Sequence, residues 1–172
     1  MKDVELKLLS ALMKNSHRSD RILAKIVGVS QPTITRTRTK LEKEGYIKEY
    51  TMIPDFGRLG FQIMSFTLVK LKKDDPKTIE HVRKQMRESL REKRIATLLA
   101  LTGLGSGADR ITIAFHQNYS EYVDFMTAMK QHPAVNIEDM KSFLVNLQDQ
   151  NHYQPLTFYE IAEYLPKMKK GE

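Results

Sequence analysis

The pattern of hydrophobic and polar positions changes character near residue 60. Before it, apolar residues recur at spacings of three and four, which predicts short amphipathic helices; after it, alternating or continuous apolar runs predict strands. The first helix is expected from about Asp3 to Lys14. Its buried stripe comprises Val4, Leu8, Leu9 and Leu12.

Two further short helices are predicted, with a tight turn between them. Ser19 caps the earlier helix and Gly28 ends it in a left-handed conformation. Ser30 caps the later helix, which has Pro32 in its first turn and stops at Gly45. The apolar face of the earlier helix is expected to comprise Ile22, Leu23, Ile26 and Val27.

The residues that follow predict a connection to a second region. YIKEYTMI, from Tyr46 to Ile53, alternates and favours a small hairpin or wing. FGRLGF, from Phe56 to Phe61, contains two glycines and is expected to be a hinge.

The second region is predicted as strand, helix, strand, strand, helix, strand. This order is typical of a ferredoxin-like fold, a four-stranded antiparallel sheet backed by two helices. The strands are expected at Ile63–Leu71, Ile95–Thr102, Arg110–His116 and Val135–Leu147, with GLGSGAD as the loop between the middle two. The first helix of this region is expected to begin at Asp75 and Pro76 and to bury Ile79, Val82, Met86 and Leu90. The second is expected to begin after a Ser120 cap and to bury Val123, Met126 and Met129.

One face of this sheet has no predicted helix. Met64, Phe66 and Leu68 point to one side of the first strand, and apolar residues also point to the other. An uncovered apolar face is typical of an interaction surface, so we expect a second subunit there.

A C-terminal extension follows the last strand. Thr157 and Glu160 suggest a capping box, and a short helix is expected with an apolar stripe. Such a helix is too short to be stable alone and must dock on its own domain or a neighbour. The stripe comprises Phe158, Ile161, Ala162 and Leu165.

Charge favours a polyanionic partner for the first part of the chain. The 172 residues contain 28 Lys plus Arg and 21 Asp plus Glu, a net +7. Met1–Gly60 and Phe61–Phe115 each have a net charge of +5, and His116–Glu172 has −3. The negative charge of the C-terminal part disfavours a polyanionic partner there.

The second of the two short helices has the chemistry of DNA recognition. A capped apolar helix, a glycine turn and a helix rich in Arg, Thr and Gln form the helix-turn-helix pattern, in which the latter helix enters the major groove. Arg pairs with guanine, Gln with adenine, Thr with base edges or thymine methyls, and Lys or Arg with phosphate. The candidate DNA-binding residues are Ser30, Gln31, Thr33, Thr35, Arg36, Arg38, Thr39 and Lys40.

Residues from about Val4 to Leu147 resemble the leucine-responsive regulatory protein/AsnC family of transcription regulators. The motifs are LAKIVGVSQPTI, KLEKEGYIKEY, LG at Leu59, TG at Thr102 with a later Asp109, and HPAV before the last strand. The resemblance implies a winged helix-turn-helix joined to a ferredoxin-like domain for effector binding and oligomerisation. It also implies dimers through the sheet faces, higher assembly, and an amino-acid effector near the glycine-containing turn.

The turn therefore supplies the candidate effector residues. Glycines let backbone amides approach a carboxylate, and an Asp can hold an ammonium group. The candidates are Thr102, Gly103, Gly105, Ser106, Gly107 and Asp109.

Three features depart from the family pattern. Thr37 stands where the family usually has Arg, and Arg38 stands where it has an apolar residue. Either the DNA contact shifts by one position, or Arg38 snorkels from a semi-buried site. GLGSGAD is longer than the family's turn, and the C-terminal helix is an addition.

Other chemistry is weakly supported. There is no Cys, the five His have no metal-ligand spacing, and no nucleophile–base pair is evident, so no enzyme, cofactor or metal is expected. Two alternatives stay open: a siroheme-decarboxylase-like enzyme of the same architecture, and a ligand-binding interaction module without DNA binding. The basic, Thr-rich helix favours the regulator.

The sequence thus predicts an α+β protein with two domains. Residues 1–55 form a winged helix-turn-helix, 56–61 a hinge, 62–147 a ferredoxin-like domain, and 148–172 an extension with a short helix. Double-stranded DNA, a second copy of the chain and a small amino-acid-like effector are the expected partners. The N-terminus lacks a signal-peptide pattern and no run of about 20 apolar residues occurs, so a cytoplasmic location without membrane contact is expected.

Overall fold

The computed structural model describes residues 1–72, 84, 88, 95–132, 136–149, 151 and 154–168. The chain folds as two compact units. Met1–Ile53 together with Tyr153–Glu172 form the first, here called the helical unit, and Pro54–His152 form the second, the sheet unit. None of the helices in the described ranges is long and apolar enough to cross a membrane.

Three helices build the N-terminal part of the helical unit: α1 (Asp3–Lys14), α2 (Asp20–Val27) and α3 (Gln31–Lys43). The predicted caps are confirmed. The Ser19 hydroxyl accepts a hydrogen bond from the Ile22 amide, and that of Ser30 accepts one from the Thr33 amide, both at 3.4 Å. Gly28 ends α2 with a φ of 79°, a left-handed conformation that glycine adopts without strain.

The core of this unit lies between the three helices. The prediction of an apolar face on α2 is only half right, because Ile22 and Ile26 are 49% and 51% exposed. The short α2 contacts its neighbours through one narrow stripe, and these two isoleucines lie to the side of it. The buried core comprises Leu8, Ala11, Leu12, Leu23, Ala24, Val27, Ile34 and Leu41.

The predicted wing is wrong in its secondary structure: Tyr46–Ile53 contains no strand. The amides of Tyr46 and Ile47 donate to the Leu41 carbonyl, so the segment begins by closing the end of α3. A hairpin needs a tight turn of residues such as Asn-Gly, and YIKEYTMI has none, so its alternating pattern has no second strand to pair with.

The C-terminal segment belongs to the helical unit. Helix α5 (Tyr159–Tyr164) and a 3₁₀ turn at Leu165–Lys167 pack against α1, where Glu163 forms an ion pair with Lys14. The predicted capping box is wrong: Phe158 occupies the cap position, and the Thr157 hydroxyl accepts from the Tyr159 amide.

The predicted stripe on α5 is also largely wrong. Ala162 is fully buried, whereas Phe158 and Ile161 are 43% and 52% exposed. A helix of six residues has fewer than two turns, so only a narrow line of side chains faces α1.

The sheet unit contains the predicted four-stranded antiparallel sheet. Its order is β2-β3-β1-β4. The strands are β1 (Ile63–Leu71), β2 (Ala96–Gly105), β3 (Ala108–His116) and β4 (Ile137–Asn146), and the helix that follows β3 is α4 (Tyr119–Lys130). The α+β architecture expected from the sequence is confirmed.

Two predictions fall outside the described residues. One is the helix opened by Asp75 and Pro76, with its buried face of Ile79, Val82, Met86 and Leu90; the other is the turn at HPAV beyond His132. For α4, the predicted cap Ser120 is wrong. Asn118 caps the helix, and its side-chain oxygen accepts from the Glu121 amide at 3.0 Å.

The buried face of α4 also differs from the prediction. Phe125 and Met129 are buried against Val69 and Leu71 of β1, whereas Val123 is 41% exposed. Phe125 and Met129 are four residues apart and share a face, which Val123, two residues before Phe125, cannot join.

The two faces of the sheet differ as predicted. Ser65 and Thr67 are fully buried on the side that α4 covers. On the opposite side, Met64, Phe66 and Leu68 are half-buried, and Phe143, which pairs with Phe66, is 71% exposed. We call this opposite side the open face.

The segment expected to be a hinge is anchored within the sheet unit. Phe56 stacks on Phe115 with 4.0 Å between ring centroids, and Phe61 also contacts that ring. The Gln148 amide donates to the carbonyls of Gly57 and Phe61. The segment is therefore held by β3 and by the residues that follow β4.

Candidate functional site

Helix α3 has a buried side and an exposed side. Ile34 and Leu41 are completely buried and fasten the helix to the core. On the other side, residues that repeat every four positions form two adjacent lines, as expected at about 100° per residue. These residues line a shallow groove: Gln31, Pro32, Thr35, Arg36, Thr39, Lys40, Lys43 and Glu44.

Arg36 lies in the middle of this exposed side. Its side chain is exposed, and no described residue forms an ion pair with it. Its guanidinium is therefore free to pair with an external acceptor such as a guanine edge or a phosphate.

The threonines of α3 use their hydroxyl protons within the protein. Those of Thr37 and Thr39 donate to the carbonyls four residues earlier, at 2.7 and 3.0 Å, whereas that of Thr35 donates to Oδ2 of Asp20 at 2.6 Å. A threonine bonded in this way can still accept a hydrogen bond and present its methyl group. Thr33 instead shares a hydrogen bond of 2.8 Å with the Ser30 hydroxyl at the start of the helix.

Arg38 is not on the exposed side, in contrast to its place among the candidate DNA-binding residues. Its Nη2 lies 2.8 Å from Oδ1 of Asp20, and the two side chains are 24% and 19% exposed. The sequence left two explanations for an Arg at this position, a DNA contact shifted by one residue or a side chain that extends from a semi-buried site. The structure agrees with the second. The helical repeat places Arg38 about 40° from Ile34, beside the core.

Lys40 also has a partner inside the protein. Its ammonium lies 2.7 Å from Oε1 of Glu5 on α1, a carboxylate that is 7% exposed, while the Lys40 side chain is 47% exposed. The hydrogen bond from Lys40 lowers the pKa of Glu5 below its ordinary value, and the same bond raises the pKa of Lys40. Lys40 therefore joins α3 to α1 at the edge of the exposed side.

Sequence reasoning missed two residues of this site. Lys43 lies on the same exposed side as Arg36, seven residues later, and this spacing of two helical turns could have identified it. Asp20 lies on α2 and contacts Arg38 on α3. The sequence showed only that Asp20 stands in the first turn of a capped helix.

The candidate effector residues lie on the β2–β3 hairpin. The prediction of a seven-residue loop is wrong, because Gly105 pairs with Ala108 and only Ser106 and Gly107 form the turn. Both have positive φ, 51° and 73°, which is the conformation of a type I′ hairpin. The extra residues lengthen the strands instead of forming a loop.

The hairpin is exposed, except at its base. Gly105, Ser106 and Gly107 are exposed at the turn, as are Thr102 and Gly103. Asp109 instead faces the sheet: its Oδ2 accepts from the Leu71 amide at 3.3 Å, and its Oδ1 is buried without a hydrogen bond. The structure therefore does not bring Asp109 into a common pocket with the glycine amides.

The rest of the described chain adds no metal centre. Within the described ranges, no three His, Asp or Glu side chains are grouped so that they could hold a metal ion.

Comparison with known proteins agrees with this geometry. Residues 1–48 match the family of winged helix-turn-helix DNA-binding proteins. An uncharacterized HTH-type transcriptional regulator of Pyrococcus abyssi is 41% identical over 69 residues, 40% of this chain and 46% of that protein. The leucine-responsive regulatory protein of Rhizobium meliloti is 32% identical over 69 residues, 40% of this chain and 44% of that protein. The match thus spans about half the length of these relatives.

Solved structures extend the likeness to the whole fold. An AsnC family transcriptional regulator from Agrobacterium tumefaciens aligns with a TM-score of 0.74 at 18% identity, covering 94% of this chain and 99% of that one. A transcriptional regulator from Neisseria meningitidis in complex with L-Met aligns with a TM-score of 0.71 at 19% identity, with the same coverage. Residues 1–48 are therefore similar to the winged helix-turn-helix regions of HTH-type transcriptional regulators, and the chain has the overall fold of AsnC-type regulators.

Proposed function

We propose that this protein is a sequence-specific DNA-binding transcription regulator. The observation that supports this most directly is Arg36, which is exposed and has no ion-pair partner among the described residues, on a capped helix whose opposite side is locked into the core. The helical unit has 14 basic and 9 acidic residues, a net +5 that favours approach to a polyanion. The named relatives over this region are transcriptional regulators.

The proposed contacts divide by chemistry. Arg36 reads a base edge, with Gln31, Thr35 and Thr39 beside it, and Lys43 neutralises phosphate. Ser30 and Thr33 set the start of the helix, where free backbone amides face a phosphate.

DNA selection followed by an affinity measurement tests this function. The full chain is used to select duplexes from a random pool, and binding to the selected duplex is measured by fluorescence anisotropy. Arg36→Ala is expected to weaken binding by about 1–3 kcal/mol if the arginine contacts a guanine. Arg58→Ala, which removes an exposed arginine from the sheet unit, is the matched control and should change binding little. Equal binding by wild type and Arg36→Ala would remove α3 from the interface.

We further propose that two copies associate through the open face of the sheet. Phe66 and Leu68 of β1 pair across the sheet with Ile113 and Ile111 of β3, and Phe143 and Leu101 extend this apolar area to both edges. A two-fold dimer would present two α3 helices to a pseudo-palindromic site.

The mass in solution tests the dimer. Light scattering at micromolar concentration should give twice the 20.0 kDa of the chain, and Phe143→Asp should shift the mass towards the monomer. Tyr119→Asp is a suitable control, since Tyr119 is similarly exposed but lies at the start of α4. A monomeric wild type would contradict the proposal.

The third part of the proposed function is an amino-acid-like effector at the β2–β3 hairpin. The exposed amides near Gly103, Gly105 and Gly107 can approach a carboxylate. A group from a second copy would have to complete the site, because Asp109 faces its own sheet. The Neisseria meningitidis relative was crystallised with L-Met, which makes a free amino acid a reasonable first ligand.

Calorimetric titration of the wild-type chain with the twenty amino acids tests the effector. Binding heat from one of them should be lost in Gly103→Val, and light scattering should show a change in assembly when the ligand is present. No heat from any amino acid would exclude this class of ligand. A ligand acts on regulation only if its affinity differs between two states of the protein.

A further inference from the structure

A single carboxylate on α2 holds two side chains of α3. Asp20 Oδ2 accepts a hydrogen bond from the Thr35 hydroxyl at 2.6 Å, and Asp20 Oδ1 lies 2.8 Å from Arg38 Nη2. Nε and Nη2 of Arg38 and Oδ1 of Asp20 are buried and have no hydrogen bond of good geometry, so the contact is a close pairing of charges. Each charge would be left in a poorly hydrated place without the other.

Further contacts connect Arg38 to the segment that follows α3. The Arg38 guanidinium lies 5.9 Å from the centre of the Tyr50 ring, and the Tyr50 hydroxyl donates to Glu42 at 2.7 Å. Burial, followed by this hydrogen bond, raises the pKa of Tyr50 to about 12, so the phenol stays protonated and able to donate at neutral pH. The contacts connect α2, α3 and the segment after α3.

Arg36 and Arg38 are chemically identical and two residues apart, yet they have opposite environments. Two residues correspond to about 200° around a helix, so the two side chains leave α3 on opposite sides. Arg36 is exposed and has no ion-pair partner in the described part of the chain, whereas Arg38 is paired with Asp20.

We propose that Asp20 is a positioning residue that determines the specificity of DNA recognition: it withholds Arg38 from the DNA and fixes the orientation of α3, so that Arg36 alone of the two arginines reads the sequence. This inference rests on the DNA-binding function proposed above. An arginine released beside a duplex contacts phosphates, which strengthens binding to every sequence without discriminating between them. Asp20 thus acts through Arg38 and Thr35 and does not itself touch the DNA.

The test compares the full-length wild type with three variants: Asp20→Asn, Arg38→Gln and the double variant. Asp20→Asn keeps the size of the side chain and removes its charge. Glu49→Gln is the matched control, because it also removes one negative charge from the helical unit and, among the described residues, forms no ion pair with either arginine. Affinity is measured for the selected duplex and for a scrambled duplex of the same composition, each over a series of salt concentrations.

Asp20→Asn is expected to bind the scrambled duplex several-fold more tightly, so that its preference for the selected duplex falls. Its plot of log affinity against log salt concentration should steepen by about 0.9, the slope of one additional phosphate contact. Glu49→Gln should leave both the preference and the slope near those of wild type. Arg38→Gln should also keep the wild-type slope, and adding it to Asp20→Asn should abolish the steepening, which identifies Arg38 as the released cation.

Three results would overturn the inference. If Arg38→Gln reduces the slope by about one contact, Arg38 already binds phosphate in the wild type. If Asp20→Asn weakens binding to both duplexes equally with an unchanged slope, Asp20 has only a structural role. If the wild type itself binds no duplex, the proposed DNA-binding function fails and this inference fails with it; the first two results leave that function intact.

Discussion

The exposed side of α3 and the β2–β3 hairpin are both candidate sites, and they are built very differently. The α3 side chains are set by a core on the same helix: Ile34 and Leu41 are completely buried directly opposite Arg36. The hairpin presents mainly backbone. Its outermost apolar side chain, Leu104, is 98% exposed, and its acidic residue, Asp109, is turned back to the Leu71 amide.

This difference in construction indicates which of the two candidate sites a single copy of the chain can form by itself. A helix that is buried on one side presents its other side as a ready surface, so a DNA interface can be complete in a single copy. A hairpin whose side chains leave it open to solvent encloses no ligand by itself, and a ligand site there needs atoms from a second surface. The α3 surface should therefore depend on its own core, and the hairpin should depend on assembly.

The largest effect is expected when one leucine is replaced in each of the two regions. Leu41→Ala should lower the free energy of unfolding of the helical unit by about 2–5 kcal/mol, because it opens a cavity beneath α3. Leu104→Ala, the same change at the exposed hairpin, should stay within about 0.5 kcal/mol of wild type. Thermal and urea denaturation followed by circular dichroism measure both. Similar losses in the two variants would contradict the contrast.

A smaller effect is expected from the backbone of the hairpin turn. Gly107 has a φ of 73° with no atom near its would-be Cβ, so Gly107→Ala is disfavoured by its backbone conformation alone, by about 1–2 kcal/mol. Gly103→Ala, in the same strand pair without a positive φ, should be neutral or slightly stabilising. Hydrogen exchange of the β2 and β3 peptides separates the two variants. If Gly103→Ala loosens the hairpin as much as Gly107→Ala, the type I′ turn is not what holds it.

The C-terminal segment should contribute less still to the helical unit. The Lys14–Glu163 pair is partly exposed, with side chains 24% and 43% accessible, and the hydrogen bond from Lys14 lowers the pKa of Glu163. Glu163→Gln is expected to lower the stability of the unit only slightly, because solvent screens a partly exposed ion pair. Glu160→Gln, on the same helix without that ion pair, is the control. Faster hydrogen exchange in residues 154–168 of Glu163→Gln, with no change in the sheet unit, would support the docking of this segment on α1.

The smallest expected effect is a difference in how the two units respond to acid. Burial lowers the pKa of His116 below its ordinary value of 6.5, although the nearby negative charge of Glu121 acts in the opposite direction. Protonation of His116 therefore favours the unfolded state. The corresponding stability of the sheet unit is complete above pH 6.5 and is lost as the pH falls towards the lower folded-state pKa. The Lys40 hydrogen bond lowers the pKa of Glu5 from 4.5, so the helical unit keeps this contribution down to about pH 4.5 and loses it below.

Hydrogen exchange measured at pH steps between 7 and 4 checks both windows. Peptides of β1 and β3 should loosen before those of α1 and α3. His116→Gln should remove the earlier loosening, and Glu5→Gln the later one. Simultaneous loosening of both units in the wild type would contradict the separate assignments.

Local sequence signals predicted the helical unit best. Ser19, Gly28 and Ser30 determine helix ends through their own backbone and side-chain chemistry, and the structure has each in its expected role. The succession of strands along the chain was also predictable, and the alternation in β1 corresponds to a strand that buries every second residue. These features depend on residues close together in the chain.

Signals that need a distant partner were predicted poorly. The alternation from Tyr46 to Ile53 suggested a hairpin, but no turn brings a second strand beside it. The glycines between Thr102 and Asp109 suggested a loop, but the pairing of Gly105 with Ala108 extends the strands almost to the turn. Strand pairing is decided by hydrogen bonds between chain segments, and a pattern within one segment does not contain that information.

The sequence by itself determined that this chain would have a capped, basic helix after a glycine turn, followed by a four-stranded α+β region. It could not distinguish the surroundings of two arginines separated by one residue. Only the tertiary structure did so, by placing Asp20 beside Arg38 and leaving Arg36 exposed. The physical reason is that a guanidinium pairs with whichever carboxylate the packing of helices brings within a few ångströms, and that distance arises only when α2 and α3 dock.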